Sequence, residues 1–262
     1  MKRAQTERKI LHLALQAGQI LLENGADIFR VEDTVYRICH HYNLNTVNVF
    51  VLSNGIFLTA GDEEETQFAK VEHIPVNRAN LTKVTEVNQL SRAIQDDLCS
   101  LEDIERELQR IQSLPGFPKP AQILAGSIGA ACFCYLFGGS PPDILCSLLI
   151  GSLFYVYQLY LGVHFSKIIG NLAGSCWITI LCLLCYELHL GVNFNAMMIG
   201  NLILMIPGVP FTNGIRGIGN GDYIAGSVRM LDALLVFFCI AIGVCLVLTL
   251  YQTVTGGAFV WL

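Results

Sequence analysis

Apolar positions fall into two regimes along this chain. Within residues 6–24, Ile10, Leu13, Ala14, Ala17, Ile20 and Leu21 recur at helical spacing and predict an amphipathic helix with one buried face. Gly25 marks its C-terminal cap. A second helix is expected at 31–41. Strand-like runs at 46–52 and 55–59 follow, joined by a turn at Ser53-Asn54, with a third strand at 68–75. Helices are expected at 81–98 and 101–114, and the acid run 62–65 reads as a solvated loop. Residues 1–114 thus predict an α+β domain large enough for its own core.

Beyond a proline-rich hinge at 115–120 the pattern changes to long apolar runs. A span needs roughly 17–25 largely apolar residues to cross about 30 Å of hydrocarbon. Five runs qualify, at about 121–137, 144–163, 168–186, 194–209 and 231–251, and together they predict a five-span α-helical bundle over residues 121–254. The fourth is short and runs into Pro207-Gly208-Val209-Pro210, and 211–230 reads as a connection rich in glycine. Small residues at four-residue spacing (Gly126 and Ala130, Ser147 and Gly151, Gly170 and Gly174, Ala196 and Gly200) favour close helix packing in lipid.

Charge sharpens this division. Of 16 Lys and Arg, only Lys167, Arg216 and Arg229 follow Lys119, and of 21 acids only Asp143, Glu187, Asp222 and Asp232 follow residue 115. The loop at 138–143 and the loop at 187–193 carry no Lys or Arg, whereas the alternate connections do. The positive-inside rule then predicts a cell-membrane protein with its N-terminus cytoplasmic and residues 255–262 as an external tail. With 53% hydrophobic and 14% charged residues, a disordered chain is excluded and a single soluble globule nearly so. The net charge of −5 argues against a nucleic-acid partner. Residues 1–24 are amphipathic and charged, unlike a signal peptide.

Candidate chemistry concentrates in two stretches. The first is Asn24-Gly25-Ala26-Asp27-Ile28-Phe29-Arg30-Val31-Glu32-Asp33, where a glycine turn meets Arg30 and Glu32; it could hold a turn by capping and ion pairing or face a partner domain. The second holds Pro207, Gly208, Pro210 and Asn213, then Arg216 and Asp222. Prolines here free backbone carbonyls, which marks either a broken helix at a transport site or a helix end followed by a cytosolic loop. Asn201 lies inside the fourth run, as a lining residue or an interhelical hydrogen bond. Arg229 and Asp232 share a helix face and are spaced to pair.

Other patterns fail. Cys182-Leu-Leu-Cys185 sits at lipid depth with no second thiol or imidazole pair nearby, so it reads as packing. The glycines from Gly214 to Gly221 match neither a dinucleotide fingerprint nor a P-loop. No cofactor and no metal site is expected. The ten cysteines fit a reducing compartment rather than a disulfide scaffold.

The strings Gly25-Ala26-Asp27-Ile28-Phe29-Arg30-Val31-Glu32 and Pro207-Gly208-Val209-Pro210-Phe211-Thr212-Asn213, with Gly221-Asp222-Tyr223, Gly226 and Arg229, resemble two signatures of the threonine/serine exporter (ThrE) family. The resemblance covers about residues 7–254. It implies a cytosolic N-terminal domain before the spans, and, because only one membrane half is present, the YjjP-type long subunit of a split two-chain exporter. It further implies small polar substrates such as threonine, serine or succinate, and a small five-span membrane partner of the same family. One departure stands out: family members often carry an acid after the position of Arg216, where this chain has Gly217.

The expected function is a subunit of a secondary transporter exporting small carboxylate-bearing metabolites, in a lipid membrane and as an oligomer. No ATP-binding motif is present, which disfavours a self-contained pump. The rivals are a membrane-anchored enzyme and a scaffold acting through the N-terminal domain; Ser53, His73 and the 62–65 acids form no catalytic spacing that favours the enzyme.

Overall fold

The structure, a computed structural model, describes residues 2–44, 46–62, 65–74 and 80–255. It divides into two compact units, Met1–Gly116 with Asn213–Val228, and Phe117–Thr212 with Arg229–Leu262.

The first unit begins with α1 (Lys2–Glu23) and α2 (Ile28–His41). The expected apolar face of α1 is buried, and so are Leu11, Leu15 and Leu22 on its other sides. A helix that is apolar nearly all round is a central helix: α1 packs against α2, and against the sheet and the two helices that follow. The antiparallel sheet β1 (Val47–Leu52), β2 (Gly55–Asp62) and β3 (Glu65–His73) has the order β1-β2-β3. Its two-residue turn is at Ser53-Asn54, and register pairs Phe50 with Phe57 on the outer face while Val51, Ile56 and Leu58 face the core. β2 and β3 are longer than their apolar runs suggest, because the acid run lies at their shared end: Asp62 closes β2 and Glu65 opens β3. Glu63 and Glu64 lie outside the described residues, as does Pro75 of the expected third strand. Then come α3 (Leu81–Gln95) and α4 (Leu101–Ser113). Ser100 and Asp103 form a capping box that starts α4, and Ile104, Leu108 and Ile111 form its buried stripe.

The second unit contains α5 (Lys119–Leu136), α6 (Pro141–Tyr160), α7 (Lys167–Glu187) and α8 (Phe194–Leu202), with 3-10 turns at Gly162–His164 and Ile203–Met205. α9 (Gly208–Gly219) and α10 (Tyr223–Thr255) pass from one unit into the other along the chain. Among the described residues three helices are long and apolar enough to cross a membrane: Pro141–His164, Lys167–Glu187 and Tyr223–Thr255. The pair Phe194–Met205 and Gly208–Gly219, bent by 59° at its break, makes a fourth if it counts as one span. α5 does not reach that standard, since its 18 residues open with Lys119 and Pro120 and include Gln122.

The region 194–230 departs from the sequence expectation. The fourth span does not continue as one helix to 209; it stops as α8, tightens into a 3-10 turn, and Pro207 separates it from α9. The stretch 211–230 is not a loop. It is the body of α9, a turn at Asn220–Asp222, and the first turns of α10, so the last apolar helix starts at Tyr223 rather than 231. Glycine content suggested a loop because glycine weakens helices. Here the glycines permit contact between helices instead: a Cβ on Gly217 would stand 3.1 Å from Gly226 Cα.

Close packing also explains the small residues of the second unit. Gly126 lies under Tyr155, Gly174 under Met205 and Phe154, and a Cβ on Gly200 would meet the Cys134 backbone nitrogen at 2.7 Å. Gly200→Val should therefore lower the yield of folded, monodisperse protein in size-exclusion chromatography. Gly208→Ala, which would meet nothing within 4 Å, should leave that yield unchanged.

Candidate functional site

The first candidate stretch folds as the turn between α1 and α2. Gly25 takes φ +83°, a left-handed conformation that favours glycine. Ala26 N–H then donates to Leu21 O at 3.0 Å, and the buried Asn24 side chain donates to Ile20 O at 2.7 Å. Asp27 stands at the N-cap of α2 but makes no capping bond there. Its carboxylate turns instead to Arg216 of α9, with Oδ2 3.7 Å from Nη1. Glu32, one turn on, accepts a hydrogen bond from Val51 N–H of β1 at 3.1 Å. Arg30 is exposed.

From residue 213 onward the second stretch belongs to the first unit, and it meets these residues from the α9–α10 turn. Gly221 carries φ +87° and permits the turn. Asp222 accepts from Ala225 N–H at 3.2 Å and so caps α10. Ala225 is 1% exposed and is part of the first unit's hydrophobic core. The Ser53 hydroxyl, at the tip of the β1–β2 hairpin, donates to Ala225 O at 3.4 Å. The first signature stretch and the 216–225 part of the second, nearly two hundred residues apart, thus form one cluster: Asp27, Glu32 and Ser53 on one side, Arg216, Asp222 and Ala225 on the other.

The electrostatics of this cluster are unbalanced. Burial pushes the Glu32 carboxyl above the usual carboxylate range; the Val51 N–H opposes that shift, and the negative charge of Asp222 adds to it. Asp27 is 18% exposed and Arg216 is 60% exposed, so the cation presents a free edge to solvent while it is held by its partner. Gly217, where an acid is expected from the family pattern, lies against Gly226, and any side chain there needs its neighbours to shift by a few tenths of an ångström.

The remaining candidates lie in the second unit or at its junctions along the chain. Asn201 is fully buried in α8 and donates to Met197 O at 2.9 Å. Pro207 precedes α9, and Gly208 and Pro210 form its first turn, where the missing proline donor costs nothing. Asn213 is half-buried within α9. Asp232 pairs with Lys167 at the start of α7, a partner that helical spacing alone did not indicate. Arg229 stands one turn before Asp232 on α10. Cys182 is buried and Cys185 half-buried, both as free thiols, and no metal-binding cluster occurs among the described residues.

Sequence reasoning missed Asp143, which it left in a loop. Asp143 is fully buried in the first turn of α6 and accepts from Ser140, from Val192 N–H at 2.6 Å and from Asn193 N–H at 3.0 Å. The signal was present as Ser140-Pro-Pro-Asp143, a capping-box spacing with prolines in the first turn.

The threonine/serine exporter (ThrE) family model matches residues 12–251. The chain belongs to this family. A protein of Escherichia coli (strain K12) named "Probable succinate transporter subunit YjjP" is 24% identical over 250 residues, which are 94% of this chain and 96% of that protein. The "Threonine/serine exporter" of Corynebacterium glutamicum is 21% identical over 234 residues, 86% of this chain and 48% of that protein. "Pheromone-regulated membrane protein 10" of Candida albicans is 22% identical over 278 residues, 98% of this chain and 24% of that protein. No solved structure matches the chain. Family membership and the long apolar helices make this a membrane transporter.

Because Glu32 binds its proton more tightly in the folded than in the unfolded chain, folding stability should fall as pH rises through its folded pKa and recover on acidification toward the ordinary carboxylate range. Glu32→Gln, which keeps an acceptor for Val51 N–H, should flatten that dependence. Thermal unfolding of both proteins, followed as pH rises from the ordinary carboxylate range, checks this; parallel curves contradict it.

Proposed function

We propose that this chain is the long subunit of a split secondary exporter for small carboxylate-bearing metabolites, such as threonine, serine or a dicarboxylate. One comparison carries the reading: the chain spans 96% of a relative named as a transporter subunit, but only 48% of the single-chain exporter of Corynebacterium. The other half of the pathway then comes from a small five-span membrane partner, and the assembly is oligomeric.

In this reading α5 is the first of five spans. It packs against α6 and α8 within the second unit, and its length falls within the roughly 17–25 residues that cross a bilayer. The distribution of charge supports a cytoplasmic N-terminus and an external C-terminus in the inner or plasma membrane. Lys119 at the start of α5 stacks on Tyr160 at the end of α6, and Lys167 at the start of α7 pairs with Asp232 in the N-terminal third of α10. The opposite ends of α7 and α10 carry the Tyr251–Glu187 bond and no Lys or Arg.

The N-terminal unit acts as a cytosolic handle rather than as an enzyme. It holds the α9–α10 turn, which belongs to the same unit. Arg216 is the point of entry for an anion: a substrate carboxylate competes with Asp27 for its guanidinium. Asn213, Arg229 and Asp232 lie on the same two helices.

The test is flux of labelled succinate, threonine and serine into proteoliposomes. The chain is reconstituted alone and with its co-purified partner, with and without a pH gradient. Saturable flux only with the partner is expected, and Arg216→Gln should slow it about ten- to a hundred-fold, the loss of one charge-assisted hydrogen bond. An intact complex that moves none of the three substrates contradicts the reading.

A further inference from the structure

Two oxygens in the core of the second unit are buried and under-satisfied, on residues that are 0% exposed: Asn201 Oδ1 has no partner, and Ser147 Oγ has only the Cys134 thiol beside it, which leaves its lone pairs available. Inside a membrane protein such groups are costly and mark function.

Their placement is specific. Asp143 at the start of α6 bonds to the backbone just before α8, so the two helices set out side by side. Gly151, two turns further along α6, faces Asn201: a Cβ there would stand 3.5 Å from Asn201 Oδ1. Ser147 lies one turn before Gly151 on the same face of α6. Gly151 is also the middle of α6, which puts the oxygens near half-depth. α8 ends one residue after Asn201, tightens into the 3-10 turn and breaks at Pro207. A helix C-terminus carries partial negative charge and frees carbonyl oxygens.

Size and chemistry select the occupant. The same Cβ position on Gly151 is 2.9 Å from Ala130 Cβ, and the Gly200 backbone touches Cys134. No organic molecule fits between helices this close. Asn Oδ1 only accepts, so the occupant is a donor or a cation. Backbone carbonyls and C-terminal ends of interrupted helices coordinate sodium in secondary transporters, and neutral side-chain oxygens beside such a break add acceptors of the same kind.

We propose that Asn201 Oδ1 and Ser147 Oγ, with carbonyl oxygens of the α8 break, bind a dehydrated monovalent cation, Na+. Binding itself does not depend on which metabolite is carried; its role as the coupling ion rests on the transporter reading above.

The experiment uses the purified full chain in detergent without substrate. Thermal unfolding is followed in NaCl and in choline chloride at equal ionic strength. Na+ should raise the transition temperature saturably and choline should not. Asn201→Ala and Ser147→Ala should each raise the Na+ concentration of half-effect by about ten-fold or more. Asn201→Leu, of similar volume without the unpaired oxygen, should fold as well as the parent in choline chloride and ignore Na+. Equal transitions of the parent in the two salts mean a water or nothing at the site and overturn the proposal, as does a Na+ response that all three variants retain. Should the variants not fold, equilibrium binding of radioactive Na+ to the parent decides: saturable binding at one ion per chain supports the site, and its absence overturns it. Flux without Na+ binding strikes this inference alone; Na+ binding without flux strikes only the substrate assignment.

Discussion

Seating the α9–α10 turn on the N-terminal unit is the constraint on which the rest of this structure depends. The turn is short of apolar side chains, and four glycines lie in it or beside it. It holds its place through one buried methyl, Ala225, through the backbone approach of Gly217 to Gly226, and through a few polar contacts from Ser53 and Asp27. Helices brought this close need residues without side chains at the crossing. A turn held by so little apolar area is held marginally, and the two carboxylates Glu32 and Asp222 beside it weaken the seat further when both are ionised. Marginal seating suits a part that moves: local opening is least costly where buried apolar contacts are few.

The second unit obeys the opposite rule. Where lipid replaces water, each polar group needs an internal partner. Asp143 collects its hydrogen bonds from the loops before α6 and α8, Lys167 meets Asp232, and Tyr251 bonds to Glu187. Against that background Asn201 and Ser147 are the exceptions. The same feature that leaves them exceptional, an α8 that stops after nine residues, also produces the break before α9. The broken helix and the seated turn are therefore two ends of one short element, α9, and the functional proposals concern what is done at each end.

Much of this was legible in the residues because periodicity reports burial. The long helices, the hairpin with its Ser53-Asn54 turn and the change of regime at the proline-rich hinge all leave a pattern in the order of apolar and polar positions. What was not legible depends on tertiary contact. α1 reads as one-faced because Leu11, Leu15 and Leu22 lie off the main stripe, yet α2 and β2 lie against that side of the helix, where Gly18 approaches Val31, Val35 and Ile56. Gly214, Gly217 and Gly226 read as loop because intrinsic propensity is a weak prior that close helix contact overrides. The stretch around Asp27 was visible as a turn held by capping and ion pairing, but nothing in its neighbourhood pointed to Arg216, since ion pairs across so long a separation leave no local trace. Two motifs in order along the chain indicated a family; only folding shows that the 216–225 part of the second clusters with the first.

The central claim is that 213–228 folds with the N-terminal unit and not with the membrane helices between which it lies in sequence. Hydrogen exchange with mass spectrometry on the full chain tests it most directly, comparing the parent with Leu21→Ala, a truncation in the N-terminal core that costs about 2–5 kcal/mol. The account predicts that peptides from 213–228 lose protection together with those from α2 and α4, while those from α7 are unchanged. If 213–228 instead keeps its protection and follows α7, the turn belongs to the membrane unit, and the handle described here does not exist.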